Sequence, residues 1–308
     1  MSDRPRWLIP AAFLLLGLIW GSSFAWIKIA VEEIPPATLV AWRMSLGAVA
    51  MVALLAILRI PWPRDAGAWV ALAVLGAVNA AIPIFLISWG EQFVDSGTAA
   101  VLNSLTPIFS LVIAGLALRT EPVTALRVGG LVLGFIGAAI LATRELSLRA
   151  DPSGLIGALA VVLAAFSYAV GASYARHRIG HDHRYVVAGG TLVFAALDMW
   201  VLALIVDGGG FILPTELSTW VAVVWLGILG SFVAYILFFF LIETIGATLA
   251  TMVTYIFPVV GVAIGVTLLH EQLDARLFIG TMLVIAGVVV VGLRYDPRVS
   301  RVPEGLRE

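Results

Sequence analysis

Three prolines interrupt apolar stretches that otherwise read as helix, and each follows a polar residue by four positions: Asn79 before Pro83, Asn103 before Pro107, Thr254 before Pro258. Proline has no N–H to donate, so each frees the main-chain carbonyl of that polar residue. In hydrocarbon such a carbonyl needs a partner or a water-filled cavity. Kinks satisfied by neighbouring helices would explain any single case; three together favour a shared polar cavity. Helical spacing gathers more polar groups onto the same faces. Thr251, Thr254, Tyr255 and Pro258 form one stripe, and Asn103, Pro107 and Ser110 another. Ser167, Gly171 and Tyr174 form a third, and Ser231, Tyr235 and Phe238 a fourth. Trp20 stands beside Ser22, Ser23 and Trp26. It lies about 18 Å into its stretch at 1.5 Å per residue, too deep for an interfacial aromatic belt. Core packing is the alternative for it. Trp20, Ser23, Asn79, Asn103, Pro107, Ser167, Tyr174, Tyr235, Thr254, Tyr255 and Pro258 are the expected cavity residues, together with Arg43.

Charges within the apolar stretches are few. Lys28 is expected to snorkel to an interface, as is Arg127 from the first turn of its stretch. Arg43 and Asp198 stand at similar depth, roughly 10–12 Å from the same face. They are expected either to pair with one another, with a role in gating, or to use separate polar neighbours. No carboxylate pair or HExxH motif lies at depth, which disfavours an enzyme. With no cysteine and a single lysine, Lys28, the chain has no thiolate metal site and no phosphate-binding loop ending in Gly-Lys-Ser/Thr. His181 and His183 lie in a polar loop and read as solvated. Neither a metal nor a cofactor is implied.

The elements that position these residues follow from composition. Hydrophobic residues make up 61% of the 308-residue chain and charged residues 12%, about half the usual charged share of a soluble domain, roughly 25%. An all-α membrane protein is therefore expected, in contact with the lipid bilayer. A net charge of -1 gives no basic field for nucleic acid. Ten spans of about 20 residues are predicted: 8–30, 37–58, 69–89, 97–118, 125–143, 154–174, 185–206, 217–241, 246–269 and 277–293. With the N-terminus inside, thirteen arginines fall in cytoplasmic segments: Arg4, Arg6, Arg59, Arg64, Arg119, Arg127, Arg176, Arg178, Arg184, Arg294, Arg298, Arg301 and Arg307. Three fall outside: Arg144, Arg149 and Arg276. Both termini are expected in the cytoplasm by the positive-inside rule.

The two halves echo one another. Glu121 and Glu271, Gly130 and Gly280, and Gly137 and Gly287 are each 150 residues apart; Pro107 and Pro258 are 151 apart. Trp20 and Lys28 match Tyr168 and Arg176 at a shift of 148. Repeats of five spans must enter the membrane from opposite sides, a design of secondary transporters with a site at the repeat interface. The halves are expected at 1–147 and 148–308, the second with a cytoplasmic tail, forming one membrane domain. The paired glutamates suggest a shared structural cap.

These features resemble the drug/metabolite transporter superfamily, in its ten-helix EamA-type branch. The carrying residues are Trp20-Gly-Ser-Ser-Phe24, Pro36 followed by Arg43, and the doubled pattern Pro107…Glu121…Gly130…Gly137 and Pro258…Glu271…Gly280…Gly287. The resemblance implies alternating-access export of small metabolites, often amino acids, across a bacterial inner membrane, and is nearest to exporters of the aromatic-amino-acid type. One departure is that the shift of 148 carries Arg43 onto Thr191. Phosphorylated cargo would require several cations, and only Arg43 and Lys28 are at hand. A small zwitterion suits the cavity better, its ammonium held against aromatic faces. A permease for another neutral or zwitterionic metabolite, or a passive channel, is the alternative. Nothing in the sequence sets an oligomeric state.

Overall fold

The computed structural model describes residues 7–113, 124–149, 152–178, 183–208, 212–245 and 247–292. Expectations for Arg4, Arg6, Arg119, Glu121, His181, Gly246, Arg294, Arg298, Arg301 and Arg307 fall outside the described residues. The helices are α1 (Leu8–Ala30), α2 (Pro36–Ile57), α3 (Ala66–Gly90), α4 (Ser96–Val112), α5 (Ala125–Arg149), α6 (Ser153–Arg178), α7 (Arg184–Val206), α8 (Leu217–Ile245), α9 (Leu249–Leu268) and α10 (Ala275–Gly292). Among the described residues eight helices are long and apolar enough to cross a membrane, while α4 and α10 are shorter apolar helices. Large apolar side chains such as Leu14, Leu18, Val49, Val201 and Ile205 stand exposed on the perimeter, where an apolar solvent suits them.

Several helices are interrupted at mid-length. α3 widens to a π-helix over Ala77–Ala81 just ahead of Pro83, and α8 does so over Trp225–Val233 with no proline. α4 breaks at Ser104–Leu105 before Pro107, and α9 tightens to a 3-10 helix over Met252–Ile256 before Pro258. Each proline sits at the start of the α-helical piece that follows, where its missing N–H costs least. Two apolar clusters fill the interior, one built mainly on α1, α4 and α8 with α6, α9 and α10, and one on α2, α3 and α7. Trp20 and Tyr168 border both.

Two expectations about charge are corrected. Arg144 does not lie in a loop, because α5 runs on to Arg149 and buries it to 1% exposure. It is ion-paired to Asp95 at 2.9 Å, Glu145 at 2.7 Å and Asp274 at 2.8 Å, and donates to the Gln272 carbonyl at 2.7 Å. Hydropathy sees the charge but not the partners that neutralise it. Arg127 is buried as well and does not snorkel. At the Arg144 end of the molecule Glu33 accepts from Thr215 N, from Thr215 Oγ1 at 2.7 Å and from Glu216 N, tying the α1–α2 turn to the start of α8. Hydrogen bonds from Thr219 and from the Thr215 backbone and side chain hold its carboxyl down at about 2.

α5 and α10 meet along their glycines. A Cβ on Gly287 would lie 2.5 Å from both Gly130 O and Gly134 N, and one on Gly137 would lie 2.7 Å from Gly280 O. Only hydrogen fits where backbones come this close. Gly129, on the same helix, has open space beside it. Gly287→Ala should therefore lower thermal stability in detergent by about 1–3 kcal/mol, whereas Gly129→Ala should leave it unchanged or raise it by up to about 1 kcal/mol through helix propensity. Equal melting temperatures for the two variants would refute close packing at this seam.

Candidate functional site

A cavity of about 60 Å³, counted as space open to the centre of a water molecule, opens among α1, α2, α3, α4, α6, α8 and α9. One water needs roughly 10–15 Å³ on that measure, so several fit. Trp20, Ser23, Arg43, Asn79, Asn103 and Thr254 line it, with Tyr168, Phe238 and Phe257 supplying aromatic walls.

The broken helices set the cavity's polar geometry. In the π-segment of α8 the Gly230 carbonyl accepts from Trp20 Nε1 at 2.9 Å and from Arg43 Nη2 at 3.2 Å. Arg43 Nε donates to Ser231 Oγ at 3.1 Å, and Ser231 Oγ donates back to the Leu226 carbonyl at 3.0 Å. Arg43 is 4% exposed, and its Nη1 carries no hydrogen bond among the described residues. This is a charged donor on a fixed plane with one edge toward the cavity. Asn103 Oδ1 and Thr254 Oγ1 are buried without a hydrogen-bond partner among the described residues. Arg43, Asn103 and Thr254 thus border one small space.

The carbonyls freed by proline have found donors within the protein. Asn79 O accepts from Tyr235 Oη at 2.9 Å across the molecule, and its neighbour Val78 O accepts from Ser167 Oγ at 2.7 Å. Asn103 O accepts from Thr106 Oγ1 at 2.8 Å. Tyr235 and Ser167 therefore stand behind the cavity wall, bracing α3, and are not part of its lining. Pro107, Pro258 and Tyr174 also lie off the lining.

Tyr255 is likewise turned away: its hydroxyl donates to the Val288 carbonyl of α10 at 2.9 Å. The reason is the 3-10 segment. At three residues per turn the face runs i, i+3, i+6, which brings Thr251, Thr254 and Phe257 to the cavity and rotates Tyr255 off it. On α6 the Ser167–Gly171 stripe packs against α3, where a Cβ on Gly171 would lie 2.7 Å from Asn79 Cβ. Tyr168 and Ala172 face the cavity instead. The signal for Tyr168 was its match to Trp20 at a shift of 148.

The Arg43–Asp198 pair is not formed. Asp198 is exposed on the outer side of α7, among Leu197 and Val201, while Arg43 points inward to α8. Equal depth fixes height along two helices but not the direction of either side chain. Lys28 does not snorkel: its Nζ donates to the Glu91 and Val94 carbonyls at 2.6 and 2.8 Å. Glu271 accepts from Ser96 N at 2.6 Å and Gly97 N at 2.9 Å, capping the start of α4. His183 is the N-cap of α7.

The EamA-like transporter family model matches residues 7–143 and again residues 155–293. An uncharacterized inner membrane transporter, YedA, of Escherichia coli (strain K12) is 27% identical, the match covering 94% of this chain and 93% of that one. A probable terminal-alkyne amino-acid exporter of Streptantibioticus cattleyicolor is 26% identical over 92% and 93% of the two chains. A solved crystal structure at 22% identity superposes with a TM-score of 0.68, covering 94% of this chain and 98% of the other, a likeness of fold.

Tyr235→Phe should strand the Asn79 carbonyl, which Pro83 leaves without a helical donor, and lower stability by about 1–3 kcal/mol, whereas Tyr255→Phe removes an extra bond from a carbonyl inside α10 and should cost about 0.5–1.5 kcal/mol. Thermal unfolding of the purified variants measures this. Unchanged melting for Tyr235→Phe would mean that the π-segment carbonyl has another donor.

Proposed function

The chain belongs to the EamA-like transporter family, and we propose that within it the protein is a secondary exporter of small zwitterionic metabolites, amino acids foremost. The observation that carries this is the cavity's charge pattern. One guanidinium with an unused edge can take a carboxylate, and the aromatic walls, with the polar residues Asn103 and Thr254 beside them, can take an ammonium. A single cation is too little for phosphorylated cargo. The amino-acid exporter among its relatives supports the same substrate class.

Alternating access would come from two five-helix inverted repeats making ten transmembrane helices, with both termini in the cytoplasm and the protein in the bacterial inner membrane. Several features support the repeat. The two family matches begin 148 residues apart. The π-segments of α3 and α8 begin at Ala77 and Trp225, also 148 apart. Trp20 and Tyr168 both line the cavity, as do Asn103 and Thr254. The glycine seam pairs Gly130 with Gly287 and Gly137 with Gly280. That crossed pattern is the one a two-fold axis between antiparallel equivalent helices produces. Arg43 is the asymmetric element, since its counterpart Thr191 is buried away from the cavity lining.

In proteoliposomes, labelled amino acids should show saturable counterflow driven by unlabelled amino acid on the other side. Arg43→Gln should reduce it by about 10–100-fold, the worth of one charged hydrogen bond of roughly 1.5–3 kcal/mol. Linear uptake without trans-stimulation for every amino acid tested would exclude this reading in favour of a channel or another cargo.

Topology has its own test in a chain free of cysteine. Ser2→Cys and Asp151→Cys, made singly, should react with a membrane-impermeant maleimide from opposite faces. Reaction from the same face would end the inverted-repeat proposal.

A further inference from the structure

Glu91 follows the last residue of α3 and is fully buried, at 0% exposure. Neither of its carboxyl oxygens has a hydrogen-bond partner among the described residues. The titratable groups that face it are Lys28 from α1, Arg43 from α2 and Glu271 from the loop before α10, and all three are engaged elsewhere. Lys28 Nζ spends its bonds on the main-chain carbonyls of Glu91 and Val94, at the C-terminal end of α3. Arg43 is held by Gly230 and Ser231, and Glu271 by the amides that open α4. From α6 the neighbours are the Gly157 backbone and Val161, which pack on Gly90 and carry no charge. An ionised carboxylate with no hydrogen bond is the form that such surroundings disfavour most; the neutral acid fits them.

Its position gives that protonation a use. Ile87, one turn before Glu91, and Ile27, next to Lys28, both line the cavity. Glu91 and Lys28 therefore form the layer that separates the cavity from this end of the molecule. We propose that Glu91 is a proton-binding site whose protonation accompanies closure of the cavity at the Lys28 end. When this end opens, water reaches the carboxyl, the proton leaves to solvent, and the Lys28 ammonium is released from the two carbonyls to become the counter-ion. Closure reverses these steps, taking one proton from the solution on that side. Release and uptake both occur on that side, so the open–closed equilibrium is linked to the pH of that side, whatever the cargo.

Two measurements test this without knowledge of the substrate. Infrared spectra of the protein in lipid nanodiscs near neutral pH should contain the C=O stretch of a protonated carboxyl that is missing from Glu91→Gln. Separately, Ile27→Cys should react with an impermeant maleimide applied from the side of the 31–35 turn. Its rate, normalised to that of Glu32→Cys in the exposed turn, should rise with pH by up to about tenfold per unit, the limit for one linked proton. Adding Glu91→Gln should leave the rate slow and flat with pH, and adding Glu91→Asp should keep the rise with a displaced midpoint. The proposal is overturned if the carboxyl band survives in Glu91→Gln, or if labelling keeps the same pH dependence there. Should Glu91→Gln fail to fold, an unmoved midpoint in Glu91→Asp overturns it equally.

Discussion

The carbonyl of Gly230 accepts from Trp20 and from Arg43 at once, and the construction of the cavity depends on that shared acceptor. In a regular α-helix the carbonyl would belong to an amide four residues on. The π-segment of α8 releases it, in a setting where hydrocarbon supplies no substitute. Trp20 from α1 and Arg43 from α2 then converge on α8, so three helices are fixed around one oxygen. Asn79 and Tyr235 repeat the device between α3 and α8. The irregular turns are thus where the helices are joined across the molecule.

This also explains how a guanidinium is tolerated in the interior. A buried cation is costly unless its donors are met. Ser231 and Gly230 meet two of the Arg43 nitrogens and hold the plane still. The third makes no hydrogen bond among the described residues, and Arg43 borders the cavity. The Arg144 cluster follows the opposite course: Asp95, Glu145, Asp274 and the Gln272 carbonyl occupy its donors, and it serves as a clamp among α4, α5 and the loop before α10.

Much of the fold was legible in the sequence, because hydropathy over some twenty residues is a coarse signal that survives local irregularity. The bounds of α1 and α7 fall within a residue of expectation. Finer statements failed where a uniform 3.6-residue period was assumed. Tyr255 was expected beside Thr254, and a 3-10 turn sent it to α10. The three prolines marked where carbonyls come free, yet the sequence could not say that Tyr235 and Thr106 would take two of them and the Phe257 amide the third. Nothing announced the π-segment of α8, which contains no proline. Glu91 escaped notice because a glutamate at a helix end reads as solvated until packing shows it buried. Asp198 erred the other way, as a charge in an apolar run that faces outward.

The glycine seam between α5 and α10 is self-complementary. Gly130 meets Gly287 and Gly137 meets Gly280, while each helix carries its two glycines at the same seven-residue interval. A surface of that kind fits an inverted copy of itself as readily as it fits its present neighbour. A forebear encoding only one half would have possessed, in this single face, what it needed to assemble as an antiparallel pair. On the inverted-repeat proposal, fusion into one chain would have left each half free to diverge, and an arginine at position 43 opposite a threonine at 191 is what such divergence would produce.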